Sequence, residues 1–145
     1  MRSDEVCLRE MIAATEQLLD LLAKPGTETL LQEDRGFRHS VFFEFVVIGE
    51  EVSRLSEELR QRHRGIAWRQ ISAFRNRIAH SYFELSLPIV WQLWTEEVPR
   101  LRTQLLILKT AVHPRQSRPA PMFTPPRAVF RNHPLGAARS SCAAQ

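Results

Sequence analysis

Two apolar stripes constrain this chain more than any other feature. Phe45, Ile48, Val52, Leu55 and Leu59 step by 3, 4, 3 and 4 residues, and Trp94, Val98, Leu101, Leu105 and Leu108 step by 4, 3, 4 and 3. That spacing keeps each set on one face of an α-helix and fits no strand. A third stripe, Leu8, Met11, Ile12, Leu18, Leu19 and Leu22, lies near the amino terminus. The pattern predicts an all-α fold, an antiparallel bundle of four to five helices. At 145 residues the chain is read as one domain.

Punctuation residues set the expected boundaries. Ser3 or Asp4 can cap a first helix running to Ala23, which Pro25-Gly26 stops. A short helical turn near Thr27–Gln32 is followed by a loop at Glu33-Asp34-Arg35-Gly36. The second helix spans roughly Arg38 to His63. Gly49 interrupts it at a cost of about 1 kcal/mol relative to alanine, which points to close approach of another helix. A third helix covers Trp68 to Phe83, and Ser86 caps a fourth with Pro88 in its first turn. Pro99 falls inside the last stripe and predicts a kink there.

Beyond His113 the pattern fails. Six of the nine prolines and five arginines lie in that stretch, with no acids. Such a segment buries too little surface to offset its chain entropy, so residues 113–145 are expected to be a disordered Pro/Arg-rich tail and 1–112 the folded domain. The tail also corrects the overall charge of +4. Of 20 Lys and Arg, five are in the tail, so residues 1–112 hold 15 bases against all 16 acids, a formal charge of −1. Global charge is therefore no argument for a nucleic-acid partner.

Only Cys7 and Cys142 occur, with no CxxC or His-Cys cluster, so neither a disulfide framework nor a metal site is expected, and no cofactor. The start, MRSDEVCLRE, lacks an apolar signal core, and no apolar run approaches the roughly 20 residues that span a bilayer. The expectation is a cytoplasmic protein with no membrane partner.

The polar chemistry concentrates in one stretch, FRNRIAHSYF, Phe74 to Phe83. Asn76 and His80 are four apart and share a face of an ideal helix, while Arg75 and Tyr82, seven apart, share another. Arg75 and His80 point about 140° away from each other. Either the long arginine sweeps round, or the helix ends near His80, or a two-fold partner brings the groups into one cleft. Such a cleft suits attack on a phosphodiester. Histidine can move the proton of a ribose 2′-hydroxyl, and arginine stabilises charge building on phosphate. Against this, a lone helical histidine is more often a packing residue, and an arginine is often a surface ion pair.

Arg75-Asn76, three residues, then His80 matches the Arg-polar-x3-His motif of the HEPN superfamily. With Ser81-Tyr82 it becomes Arg-x4-His-x-Tyr and resembles the HepT branch. The flanking stretches IGEEVSRLSEELRQRHRGIAWRQI and IVWQLWTEEVPRLRTQL resemble that branch too, so the likeness spans roughly residues 4–110. The resemblance implies an all-helical homodimer and a metal-independent endoribonuclease that leaves cyclic-phosphate ends, the toxin of a bacterial toxin–antitoxin pair. It implies Arg75 and His80 as the catalytic pair and Asn76 as their polar support. The substrate it implies is RNA, tRNA or mRNA. A minimal nucleotidyltransferase antitoxin would silence the toxin by attaching AMP to Tyr82, whose added charge would neutralise Arg75 on the same stripe. On that reading Tyr82→Phe stays toxic but escapes silencing. Arg77 and Glu50 could line the cleft, and one of Glu50 and Glu51 in the GEE stretch could hold Arg75 or Arg77, against a merely solvated helix face. The competing class is a non-catalytic helical dimer that binds a nucleotide or a partner.

Overall fold

The computed structural model describes residues 2–112; the expected tail, with Cys142, lies outside them. Among the described residues there are helices and no strands. The elements are α1 (Asp4–Leu22), α2 (Thr27–Glu33), α3 (Arg35–Arg54), α4 (Glu57–Arg62), α5 (Trp68–His80), a 3₁₀ turn (Tyr82–Glu84), α6 (Leu87–Gln92), a π-helical turn (Leu93–Glu97) and α7 (Val98–Val112). Four of the rods carry the fold: α1, α3, α5 and the run from α6 to α7.

Helix α1 begins where Ser3 Oγ accepts from Val6 N–H at 3.4 Å, and the chain turns after it through Gly26, whose φ of 70° favours glycine. α1 packs on α3 and α7, and α5 lies against α3. Leu8, Met11, Leu18, Val41, Ile48, Val52, Trp94, Leu105 and Leu108 form the dry centre. Trp94 is fully buried, and its indole N–H donates to the Leu18 carbonyl at 2.8 Å, which ties the last rod to α1.

Three boundaries differ from the sequence expectation. The second helix is two helices, because the backbone turns extended at Leu55 (ψ 145°) and Ser56 (ψ 145°). Ser56 Oγ accepts from Leu59 N–H at 3.2 Å, while its own N–H and hydroxyl donate to Asp4 at 2.8 and 2.6 Å. The buried leucines continue their period across the break, which hid it. The expected loop at 33–36 shrinks to Asp34, which ends α2 and caps α3 by accepting from Phe37 N–H at 2.8 Å. The third helix stops at His80, not Phe83, where Ser81 adopts φ −134°, ψ 39°. Ser86 occupies the cap position before α6 but makes no side-chain cap bond. At Pro99 the accommodation takes the form of the π-helical turn just before it. A widened turn relieves the contact between the proline ring and the preceding carbonyls.

Candidate active site

α5 carries the polar motif because of what faces it. Gly49 of α3 lies under Arg75: a Cβ at Gly49 would sit 2.3 Å from Arg75 Cβ and 2.7 Å from its Cγ. Only a hydrogen there lets α3 and α5 cross this closely, so the aliphatic stem of Arg75 lies flat on α3. Its guanidinium then forks. One nitrogen donates to Glu50 Oε1, and Nη1 donates to Asn76 Oδ1 at 2.7 Å. Both partners of this ion pair are about one-third exposed, so the group borders solvent.

The neighbouring carboxylate behaves differently. Glu51 points inward, is buried, and is held by Arg2 at 2.8 Å and Arg54 at 2.7 Å. The Cys7 thiol is pushed up to about 11, by burial first and then by a hydrogen bond to Glu51 and the charges of Glu51 and Asp4, with Arg2 opposing. In the pair Glu50-Glu51, one residue serves the motif and the other the core.

His80 is the last residue of α5 and is exposed, and its side chain makes no hydrogen bond or ion pair among the described residues. Arg77 is exposed as well, without a carboxylate partner. It rims an apolar cleft of about 490 Å³ lined by Phe45, Phe74, Leu93, Val98 and Leu101, between α5 and the last rod. Within the chain Arg75, Asn76 and Glu50 are thus brought together, while His80 lies about 140° round the helix from Arg75.

Tyr82 is not on the Arg75 stripe. The helix has ended, and the tyrosine sits in the 3₁₀ turn, so seven-residue spacing no longer aligns the two. Its ring meets His39, Phe42 and Phe83 edge-on, with centroids 5.5, 5.4 and 5.4 Å away. Its hydroxyl is buried without a hydrogen-bond partner. Nothing local in the sequence marks His39, which belongs to α3, as a neighbour of Tyr82. Among the described residues, no group of three or more His, Cys, Asp or Glu is arranged to hold a metal ion, and no helix is long and apolar enough to cross a membrane.

α5 carries no acid and presents Asn76, Arg77 and His80 at the solvent edge of an all-α bundle, and a family match puts the chain in the HEPN/HepT class. More narrowly, the chain belongs to the HepT-like family, described as "Ribonuclease HepT-like", which matches residues 11–107. Among similar proteins, one from Caldanaerobacter subterraneus subsp. tengcongensis, named as a candidate RNase, is 34% identical over 41% of this chain and 53% of its own length. A Methanocaldococcus jannaschii protein named as a gamma-glutamylcyclotransferase and candidate RNase is 24% identical over 73% of this chain and 48% of its own. The "Probable ribonuclease HepT" of Thermococcus cleftensis is 25% identical over 70% of this chain and 91% of its own. The chain spans about half the length of the first two of these relatives. No solved structure matches it at a significant level.

Proposed function

We propose that this chain is the ribonuclease toxin of a bacterial toxin–antitoxin pair, and that it cuts RNA without a metal as a homodimer. The observation that carries the reading is the family match over residues 11–107 falling on a helix, α5, that has no acid of its own and presents Asn76, Arg77 and His80 to solvent beside Arg75. In the proposed reaction His80 takes the proton of a ribose 2′-hydroxyl. The 2′-oxygen attacks phosphorus, the bond to the 5′-oxygen breaks, and that oxygen leaves with a proton from the protonated His80 of the second copy. The products are a 2′,3′-cyclic phosphate and a 5′-hydroxyl. Arg75 meets the charge that develops on the phosphate oxygens, and Glu50 and Asn76 hold its fork ready.

The second copy answers the angular problem, since two α5 helices side by side bring an arginine of one to the histidine of the other. The open apolar cleft along α5 supports such an interface. The antitoxin we assign is a nucleotidyltransferase that joins AMP to the Tyr82 oxygen and releases pyrophosphate. Because that hydroxyl is buried, the 3₁₀ turn must swing outward for the transfer.

One observation favours the non-catalytic alternative: in a single protomer Arg75 is engaged by Glu50 and faces away from His80. The two readings part on one experiment. The purified full chain, in EDTA, is given an RNA oligomer and the same oligomer with a single 2′-deoxy position at the cut site. Cleavage of the first, a cyclic-phosphate end, and no cut at the deoxy position are expected. Cleavage that needs an added divalent ion, or that ignores the missing hydroxyl, overturns the mechanism, and no cleavage at all favours the binding module.

A further inference from the structure

The formal charge of −1 over residues 1–112 conceals a strong local asymmetry. Between Leu59 and Phe83 there are six arginines and two histidines and no acid. The rest of the described domain carries the acids. Eight arginines of the fold, among them Arg54, Arg60, Arg62 and Arg102, are paired with carboxylates. Arg64, Arg69 and Arg77 have no such partner among the described residues, and all three are exposed.

Two of them, Arg69 and Arg77, lie on α5. On α5, Arg69, Ala73, Asn76 and His80 fall within about 60° of circumference, with Arg77 about 40° beyond, and all five are exposed. Arg69 and His80 are about 16 Å apart along the axis, room for several successive phosphates. Ala73 keeps the middle of the strip low. Arg64 comes five residues before Arg69, in a turn ahead of α5 that is itself fixed. Ile66 N–H donates to the His63 carbonyl at 3.2 Å, and the Trp68 indole N–H donates to the same carbonyl at 3.0 Å. A pocket of about 310 Å³ opens there, with Arg62, His63 and Arg64 at its rim and Ile66, Ile107 and Leu108 among its apolar lining. A cationic rim around an apolar lining fits an unpaired nucleobase and its phosphate.

We propose that the α5 strip from His80 to Arg69, continued to Arg64, is a track for single-stranded RNA flanking the cut site, with a base seated in the pocket at the α4–α5 turn. This rests on the ribonuclease reading for the cut itself and adds the substrate class: an unpaired strand of several nucleotides, held by its backbone. Arg64 and Arg69 are positioning residues. Duplex RNA, whose bases are stacked away, cannot fill the pocket.

The test uses the full chain, an eight-nucleotide single-stranded RNA, and the same RNA annealed to its complement. Relative to wild type, the Arg64→Ala/Arg69→Ala double variant is expected to raise KM for the single strand about tenfold with kcat within about twofold. The slope of log KM against log salt is expected to fall by about 1.4, the share of two phosphate contacts on a single strand. Lys24→Ala, an exposed cation off this strip, leaves both unchanged. An unaltered KM and salt slope in the double variant overturns the track while leaving the nuclease intact. Should the wild type cut nothing, the nuclease reading fails separately, and fluorescence anisotropy decides the track: equal Kd for wild type and double variant, or duplex binding as tight as single strand, overturns it.

Discussion

Helices α1 and α5 bury very different shares of their side chains. Along α1 the residues Cys7, Leu8, Met11, Ile12, Ala14, Thr15, Leu18 and Leu21 are buried, gripped between α3 and α7. Along α5 only Trp68 and Ile78 are buried, and its solvent face is arginine, asparagine and histidine. α5 packs along α3, with Arg75 over Gly49, the pair with Glu50, and Phe74 edge-on to Phe45 at 5.1 Å among its contacts, but among the described residues it has no second helix gripping its other side as α7 grips α1. Stability is thus concentrated on the α1 side, and the α5 side is left free to carry unpaired cations that would be costly in a core.

Substitutions can break this contrast. The largest loss of stability is expected from Trp94→Ala, which empties the space between α1 and the last rod and removes the bond to Leu18: about 3–5 kcal/mol, read from urea unfolding. A loss under about 1 kcal/mol would mean that the α1 side is not the anchor. Next comes Gly49→Ala. The new methyl would meet the Arg75 stem near its backbone, which no rotamer change relieves, so α5 must shift. A cost of about 1–3 kcal/mol is expected, together with weakened RNA cleavage. An unchanged unfolding midpoint would show that the helices do not cross as closely as described.

A smaller effect tests the inner end of the GEE stretch. The Cys7 thiol, pushed up to about 11 from its ordinary 9.0, holds its proton more tightly folded than unfolded. Its contribution is therefore fully present below about pH 9 and is lost as pH rises towards 11. Wild type should lose midpoint stability more steeply than Cys7→Ala across that window, and parallel profiles would contradict the assignment.

Much of the fold can be read along the chain, because burial repeats with the helical period. The stripes at 45–59 and 94–108 lie inward, and Gly49 marks the helix crossing. The break at Ser56 was hidden because Leu55 and Leu59 both remain buried across it, while the deciding partner, Asp4, is 52 residues away. The site is less legible for the same reason. Arg75, Asn76 and His80 are visible as residues, yet the partner of Arg75 depends on how α3 crosses α5. The surroundings of Tyr82 depend on a helix that stops two residues earlier, bringing His39 beside it. The basic run from 59 to 83 is written plainly in the sequence, but averaging charge over the whole domain erases it.

The contrast between a packed side and the side proposed to cut RNA is tested most directly by His80→Ala, with RNA cleavage and unfolding measured on the same preparation. His80 is exposed and touches nothing that holds the fold, so stability should stay within about 0.5 kcal/mol of wild type while the cleavage rate falls by about 100-fold or more. Cleavage at the wild-type rate, or a loss of activity that merely follows a loss of folding, would contradict the account.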